Sequence, residues 1–282
     1  AEVEELGEHI RQAHGEEVFR REVLAAKERG LSDAEIGRIF GITFRQLEEI
    51  ITEAYGVNIS FKPKKKVKAL EPKDFKEEST TVWSFKSRGS WATHSGAYRG
   101  NWSPYIPRNI ILKYSREGEL VLDPFVGGGT TAVEAKLLRR RCIARDINPA
   151  AVELTKENLN FTTPWQTWEP QVSVGDARDL GDIPSESVDL VCTHPPYAGI
   201  VKYSSGLPGD LSGMPLDRYL TEMERVAREL HRVLKPGRVA ALLVGDTRRN
   251  KRVVPIGFEV LNRFLKVGFL LRELVVKRQH NC

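Results

Sequence analysis

The chain has 282 residues, of which 40% are hydrophobic and 29% charged, with a formal net charge of +5. That suits one large globular domain plus a small one, and no run of about 18 apolar residues is present to span a bilayer. Cys142, Cys192 and Cys282 make neither a CxxC pair nor a metal spacing, so a disulfide scaffold and a zinc ribbon are excluded, and a cytoplasmic setting with free thiols is expected.

The first residues, AEVEELGEHIRQAHGEE, are acidic and show no signal-peptide core. Residues 1–58 read as a helical domain. In EEVFRREVLAAKERG, apolar Val18, Phe19, Val23, Leu24 and Ala26 recur near helical spacing, and Gly30 is a stop. LSDAEIGRIFGITFRQLEEIITEAYG then has Ser32 as a cap, Gly41 in a tight turn and Thr43 as the next cap, a helix-turn-helix pattern. Its second helix would present Arg45, Gln46, Glu48 and Glu49 outward, and two glutamates oppose a phosphate backbone. Residues 59–80, rich in Lys, Pro and Glu, read as a basic linker that includes FKPKKKVK.

From residue 81 to 282 the pattern changes. ELVLDPF is a strand and TTAVEAKLLRRR a helix; RCIARDI is a strand and PAAVELTKENLN a helix. QVSVGDA and VDLVCTH are strands, LDRYLTEMERVARELHRVL a helix, GRVAALLVGD a strand, IGFEVLNRFLKVG a helix and FLLRELVVKRQ a last strand. Apolar strands alternating with helices give an α/β, doubly wound, Rossmann-like sheet. GDTRRNKR (245–252) reads as a basic loop suited to solvent or to phosphates.

LVLDPFVGGGTTAVEA (120–135) sets Gly127, Gly128 and Gly129 between a strand and a helix. Without side chains there, a ligand can approach the backbone and the free N–H groups of a helix start. The spacing is neither GxGxxG nor GxxxxGK[ST], which disfavours a dinucleotide and a P-loop. Asp123, Asp146 and Asp176 fall at three successive strand ends, the edge where such sheets bind ligands, and Asp146 has the spacing of a ribose-binding acid.

DPFVGGGTT followed by THPPY resembles two motifs of the S-adenosylmethionine-dependent DNA amino-methyltransferases, which act on cytosine N4 or adenine N6. The resemblance covers roughly residues 80–279. It implies S-adenosylmethionine as cofactor and no metal. Asp123, Phe125, Gly127, Gly129 and Thr130 would line its methionine end. Asp146 and Ile147 would meet the ribose, and Asp176 with Ala177 the adenine. RGNWSPYIPRNIILKYS (99–115), with Asn101 and Ser103, is similar to the segment that completes the pocket from its N-terminal side.

The catalytic residues implied are His194, Pro195, Pro196 and Tyr197. Proline has fixed φ and no N–H, so the carbonyls of His194 and Pro195 are rigid acceptors for the hydrogens of an exocyclic amine. Tyr197 offers a flat face to a base flipped out of the duplex. The family usually has Asp, Asn or Ser where this chain has His194. A neutral imidazole can accept a hydrogen bond and a protonated one cannot, so an acid limb from His194 is expected below about pH 6. The Pro-Cys nucleophile of cytosine-C5 enzymes is missing. Thr193 favours cytosine N4. Adenine N6 of DNA, an amine of RNA, and a DNA-binding protein with an inactive core stay open as alternatives. The partner expected is DNA, as in restriction–modification, with a homodimer possible and no membrane. The family's recognition insert is missing; AGIVKYSSGLPGDLSGM (198–214) reads as a mobile loop that closes over the site.

Overall fold

The computed structural model describes residues 4–29, 31, 33–55, 67, 69–95, 98, 100–198, 207–249 and 251–278. The expected stop at Gly30, the cap at Ser32, nearly all of FKPKKKVK, residues 199–206 of the glycine-rich loop, Asn250 and Cys282 lie outside them. The chain divides into two compact units, Ala1–Pro63 with Ala97–Arg99, and Lys64–Gly96 with Gly100–Cys282.

The first unit holds α1 (Glu4–Glu28), α2 (Asp33–Phe40) and α3 (Phe44–Tyr55). Gly15, at φ 82, interrupts the helical backbone of α1. Gly41 takes φ 65 in the α2–α3 turn, a left-handed conformation that favours glycine. Thr43 and Gln46 form a reciprocal capping box: the Gln46 amide donates to the Thr43 hydroxyl (3.3 Å), and the Thr43 amide to the Gln46 side chain (2.8 Å). Leu47, Ile50 and Ile51, spaced for one helix face, are buried with Phe19, Val23, Ile36 and Phe40.

The second unit runs β1 (Val82–Ser84), α4 (Tyr105–Tyr114), β2 (Leu120–Asp123), α5 (Thr130–Leu137), β3 (Arg141–Asp146), α6 (Pro149–Leu159), β4 (Gln171–Val174) and β5 (Val188–Thr193). It continues with α7 (Leu216–Val233), β6 (Leu234–Leu242), β7 (Thr247–Arg249), β8 (Arg252–Val254), α8 (Ile256–Val267) and β9 (Val276–Arg278). Five strands form one sheet in the order β4-β3-β2-β5-β6, all parallel. Successive side chains of the central strands enter opposite layers. Val121 and Cys192 pack with Ile110, Ile111 and Ala132 on one face. Leu122 and Val191 pack with Met223, Leu230 and Phe264 on the other. This is a doubly wound, Rossmann-like α/β fold. Strand order reverses between β2 and β5, which opens a crevice beyond their carboxyl ends.

Two expectations need correction. The stretch 269–279 forms a strand only at Val276–Arg278, and this pairs in parallel with β1, outside the main sheet. β1 likewise lies outside the main sheet. Consecutive apolar residues from Phe269 to Leu271 define no single face, and a strand persists only where a partner supplies a free edge. The described part of the linker, residues 69–80, is built into the second unit. The Ala92 amide donates to the Ala69 carbonyl (2.6 Å), the Glu78 amide to the Asn109 side chain (2.7 Å), and Phe75 stacks on Tyr105.

Leu122 is fully buried at the centre of the sheet. Leu122→Ala is expected to cost about 2–5 kcal/mol of stability, through lost transfer energy and a residual cavity. Urea denaturation of the second unit's transition checks it.

Candidate active site

The turn from β2 into α5 is held by its neighbours rather than by its own side chains. Gly127 and Gly129 sit at φ 52 and 86. A Cβ on Gly129 would lie 3.0 Å from the Thr155 side chain, so α6 can approach only because the glycine lacks one. The Thr155 hydroxyl donates to the Gly127 carbonyl (2.9 Å), and the Asn158 amide to the Gly128 carbonyl (2.9 Å). Asp146 closes the ring: its carboxylate accepts the Gly127 and Asn148 amides, each at 2.9 Å.

Asp123 is buried at the end of β2. It accepts the Thr193 hydroxyl from β5 (2.5 Å) and the Phe125 amide (3.1 Å). Burial pushes both Asp123 and Asp146 up to about 6. Asp176 lies two residues beyond β4, not on it. Burial would raise its pKa, but the Arg178 guanidinium outweighs this and holds it below the ordinary carboxylate value. Arg178 also donates to Glu222 (2.6 Å) and to the Gly209 carbonyl (3.2 Å). A Cβ on Gly209, at φ 90, would lie 2.8 Å from Ile147 Cδ1. Ile147, Asp176 and residues 207–210 thus share one corner of the crevice, beside buried Ala177.

His194 follows directly on β5. Its Nε2 is 2.6 Å from the Tyr197 hydroxyl. Trp102 stacks on its other side, with centroids 5.5 Å apart and planes at 25°. Burial between these rings lowers its pKa to about 4. The imidazole is therefore neutral from pH 5 to 8, and the acid limb expected from it near pH 6 is displaced below that range. Its Nε2 is engaged by Tyr197, so in this arrangement it positions the tyrosine. A groove of about 1650 Å³ runs from Trp102, His194 and Tyr197 to Gly245 and along β6. Cys192 is buried and burial raises its thiol pKa, so it is no nucleophile.

Asn101 reaches the glycine turn, where its side-chain oxygen accepts the Thr130 hydroxyl (2.6 Å). The Ser103 hydroxyl instead donates to the Arg88 carbonyl (2.8 Å), and its place is in the groove beside Trp102. Arg88 returns bonds to the carbonyls of Asn101 (2.8 Å) and Trp102 (2.9 Å). The anchor of this segment escaped sequence reasoning. Glu134, fully buried on α5, accepts from Trp91 Nε1 (2.7 Å) and Arg108 (3.0 Å) and pairs with His94 Nε2 (2.6 Å). The available signal was a lone glutamate among apolar helix residues, which demands a buried partner.

Residues 48–157 match a family model described as DNA methylase, and residues 111–207 one described as an RMKL-like methyltransferase domain. A tRNA (guanine(10)-N2)-dimethyltransferase of Methanothermobacter thermautotrophicus is 37% identical over 110 residues, 39% of this chain and 31% of that protein. The type II methyltransferase M.SmaI of Serratia marcescens is 33% identical over 91 residues, 32% of this chain and 30% of that protein. The chain thus spans about a third of the length of these relatives. A TehB-like S-adenosylmethionine-dependent methyltransferase from Corynebacterium glutamicum superposes with a TM-score of 0.40 at 16% identity, covering 57% of this chain and 71% of that one.

The fold is a Rossmann-like α/β domain, and its sequence is similar to methyltransferase domains. More narrowly, it is similar to a DNA methylase family model and to a type II methyltransferase. S-adenosylmethionine is the cofactor expected of it. The residues fit that molecule: a side-chain-free cradle at Gly127–Gly129, buried acceptors at Asp123 and Asp146, and a further acid at Asp176. Among the described residues no group of three His, Cys, Asp or Glu is placed to hold a metal, and no helix is long and apolar enough to cross a membrane.

Two outcomes are expected. The ribose hydroxyls and the cationic sulfonium favour ionised Asp123 and Asp146, both of whose pKa values burial raises. Cofactor affinity should therefore rise with pH through about 6 and level off above it. Asp146→Asn should weaken binding by about 1–3 kcal/mol and shrink this pH dependence. Calorimetry from pH 5 to 8 reads both. Separately, Glu134→Ala leaves the buried Arg108 guanidinium with only the exposed Glu71 at 3.8 Å, and should cost about 3–5 kcal/mol. Glu134→Gln, which can still accept from Trp91, should cost less; urea titration followed by tryptophan fluorescence distinguishes them.

Proposed function

We propose that the protein transfers a methyl group from S-adenosylmethionine to an exocyclic amine of a DNA base, with cytosine N4 as the target. The observation that supports this most is the Asp123–Thr193 hydrogen bond, which ties the end of β2, where the glycine turn begins, to the end of β5, which the Pro195–Pro196 step follows.

The cofactor supplies an electrophilic methyl on a sulfonium. The chain's part is to bind, orient and keep water away. The amine lone pair is delocalised into the base ring, so the amine is a weak nucleophile. The rigid carbonyls of His194 and Pro195 accept its hydrogens and turn the lone pair toward the methyl. Transfer then needs in-line positioning and no covalent intermediate. Bound against Asp123, Asp146 and the Gly127–Gly129 turn, the cofactor would supply the methyl, and the amine hydrogen held by the Pro195 carbonyl would pass to solvent as the proton. Tyr197 stacks on the flipped base. Its hydroxyl bond to His194 and its contact with Gly245 set the plane of that ring.

A second reading keeps the site and changes the polymer. Similarity to two tRNA (guanine(10)-N2)-dimethyltransferases favours an amine of RNA. The deciding experiment incubates the protein with cofactor and either duplex DNA or tRNA, digests the product and weighs the nucleosides. N4-methylcytosine from DNA is expected. N6-methyladenine corrects the base, N2-methylguanine from tRNA establishes the second reading, and no methylated nucleoside from either refutes both. Tyr197→Ala should bind cofactor normally and lose most transfer. His194→Ser should show the same rate profile as wild type between pH 5 and 8, since the wild-type imidazole stays neutral there.

A further inference from the structure

The basic stretch read as a loop is an ordered hairpin. β7 and β8 pair antiparallel in the register Thr247↔Val254, Arg248↔Val253 and Arg249↔Arg252. Lys251 makes the turn at φ 63. Arg248, Lys251 and Arg252 are exposed. Among the described residues, none of the three has a carboxylate partner.

Several surface cations of the second unit are neutralised, Arg228 and Arg263 by Glu224, Arg232 by Glu229, Lys235 by Asp189, and Arg238 by Glu119; the hairpin instead gathers three exposed cations within five residues. The acid nearest the hairpin in sequence, Asp246, is turned to the start of α8, where it accepts the Gly257 amide (2.9 Å). Arg249 and Arg252 hold directly opposed positions in the ladder.

The root of the hairpin touches the candidate catalytic residues. Gly245 stands two residues before β7, and a Cβ there would lie 3.3 Å from the Tyr197 ring and hydroxyl. From that root, strands of three residues reach about 10 Å. A nucleotide stacked on Tyr197 brings its flanking phosphates into this range.

We propose that the β7–β8 hairpin grips the phosphodiester backbone next to the target nucleotide, through Arg248, Lys251 and Arg252. The proposal rests on the nucleic-acid amine methylation reading. Lys/Arg contacts to phosphate release counterions, so each contributes about 0.9 to the slope of log K against log salt on duplex DNA, and about 0.7 on a single strand. The hairpin accounts for positioning and not for base choice.

The test uses the full chain and a triple variant, Arg248→Gln with Lys251→Gln and Arg252→Gln. Binding to a DNA duplex and to an RNA of equal length is measured between 50 and 200 mM KCl, together with cofactor affinity. The variant should lose about 2–3 units of salt slope while its cofactor affinity is unchanged. A charge-keeping triple, Arg248→Lys with Lys251→Arg and Arg252→Lys, should keep most of the slope. The polymer that shows the larger loss is the one whose phosphates the hairpin holds. A wild-type slope in the glutamine variant overturns the proposal, as does a wild-type protein that binds neither polymer. If the slope falls as expected but no methylated nucleoside is found, the hairpin stands and the methylation reading fails. If the wild type methylates and the variant keeps the wild-type slope, the reading stands and the hairpin fails.

Discussion

The hydrogen bond from the Thr193 hydroxyl to the buried Asp123 carboxylate is the constraint on which the site depends. It crosses the one place where neighbouring strands lead away in opposite directions, and so joins the two halves of the sheet at their carboxyl ends. Asp123 begins the glycine turn and Thr193 precedes the Pro-Pro step. One bond therefore ties the glycine turn to the Pro195–Pro196 step. A parallel sheet holds this geometry well, because both strands are buried on both faces.

Burial that makes the site rigid also sets its electrostatics. Asp123 and Asp146 are held near pKa 6 because desolvation penalises their charge. A cationic ligand with hydroxyl donors relieves that penalty, so the pocket favours such a ligand before any shape is considered. The same desolvation acts in the opposite sense on His194 and keeps it neutral. Acid sensitivity near pH 6 thus belongs to Asp123 and Asp146 and not to His194.

The segment before β2 completes the site from a distance in sequence. Glu134 on α5 ties down Trp91, His94 and Arg108. Arg88 then laces the carbonyls of Asn101 and Trp102. Asn101 arrives at Thr130, and Trp102 at His194. A buried carboxylate with three partners is costly to assemble piecemeal and rigid once complete.

Much of the fold was legible in local patterns. Strand and helix alternation, glycines after a strand, and acids at strand ends follow from backbone geometry and from the period of side chains, which a sequence carries directly. The helix starts at Thr43 and Thr130 were legible for the same reason. Three features were not. The hairpin at 247–254 lacked an apolar face to announce it. The 269–279 strand had the right composition, but pairing is decided by which edge is free, and that edge belongs to residues nearly two hundred positions away. The Glu134 cluster joins residues 26 to 43 positions apart, and a lone glutamate in a helix gives no hint of which partners it will find. The sequence by itself determined the class of fold and the strand-end positions of Asp123, Asp146 and the Pro-Pro step. Only the tertiary structure decided that Tyr197 engages His194, that burial keeps His194 neutral, and that the basic hairpin is rooted on Tyr197. Contact, burial and charge pairing are properties of neighbours in space, and those neighbours are chosen by packing.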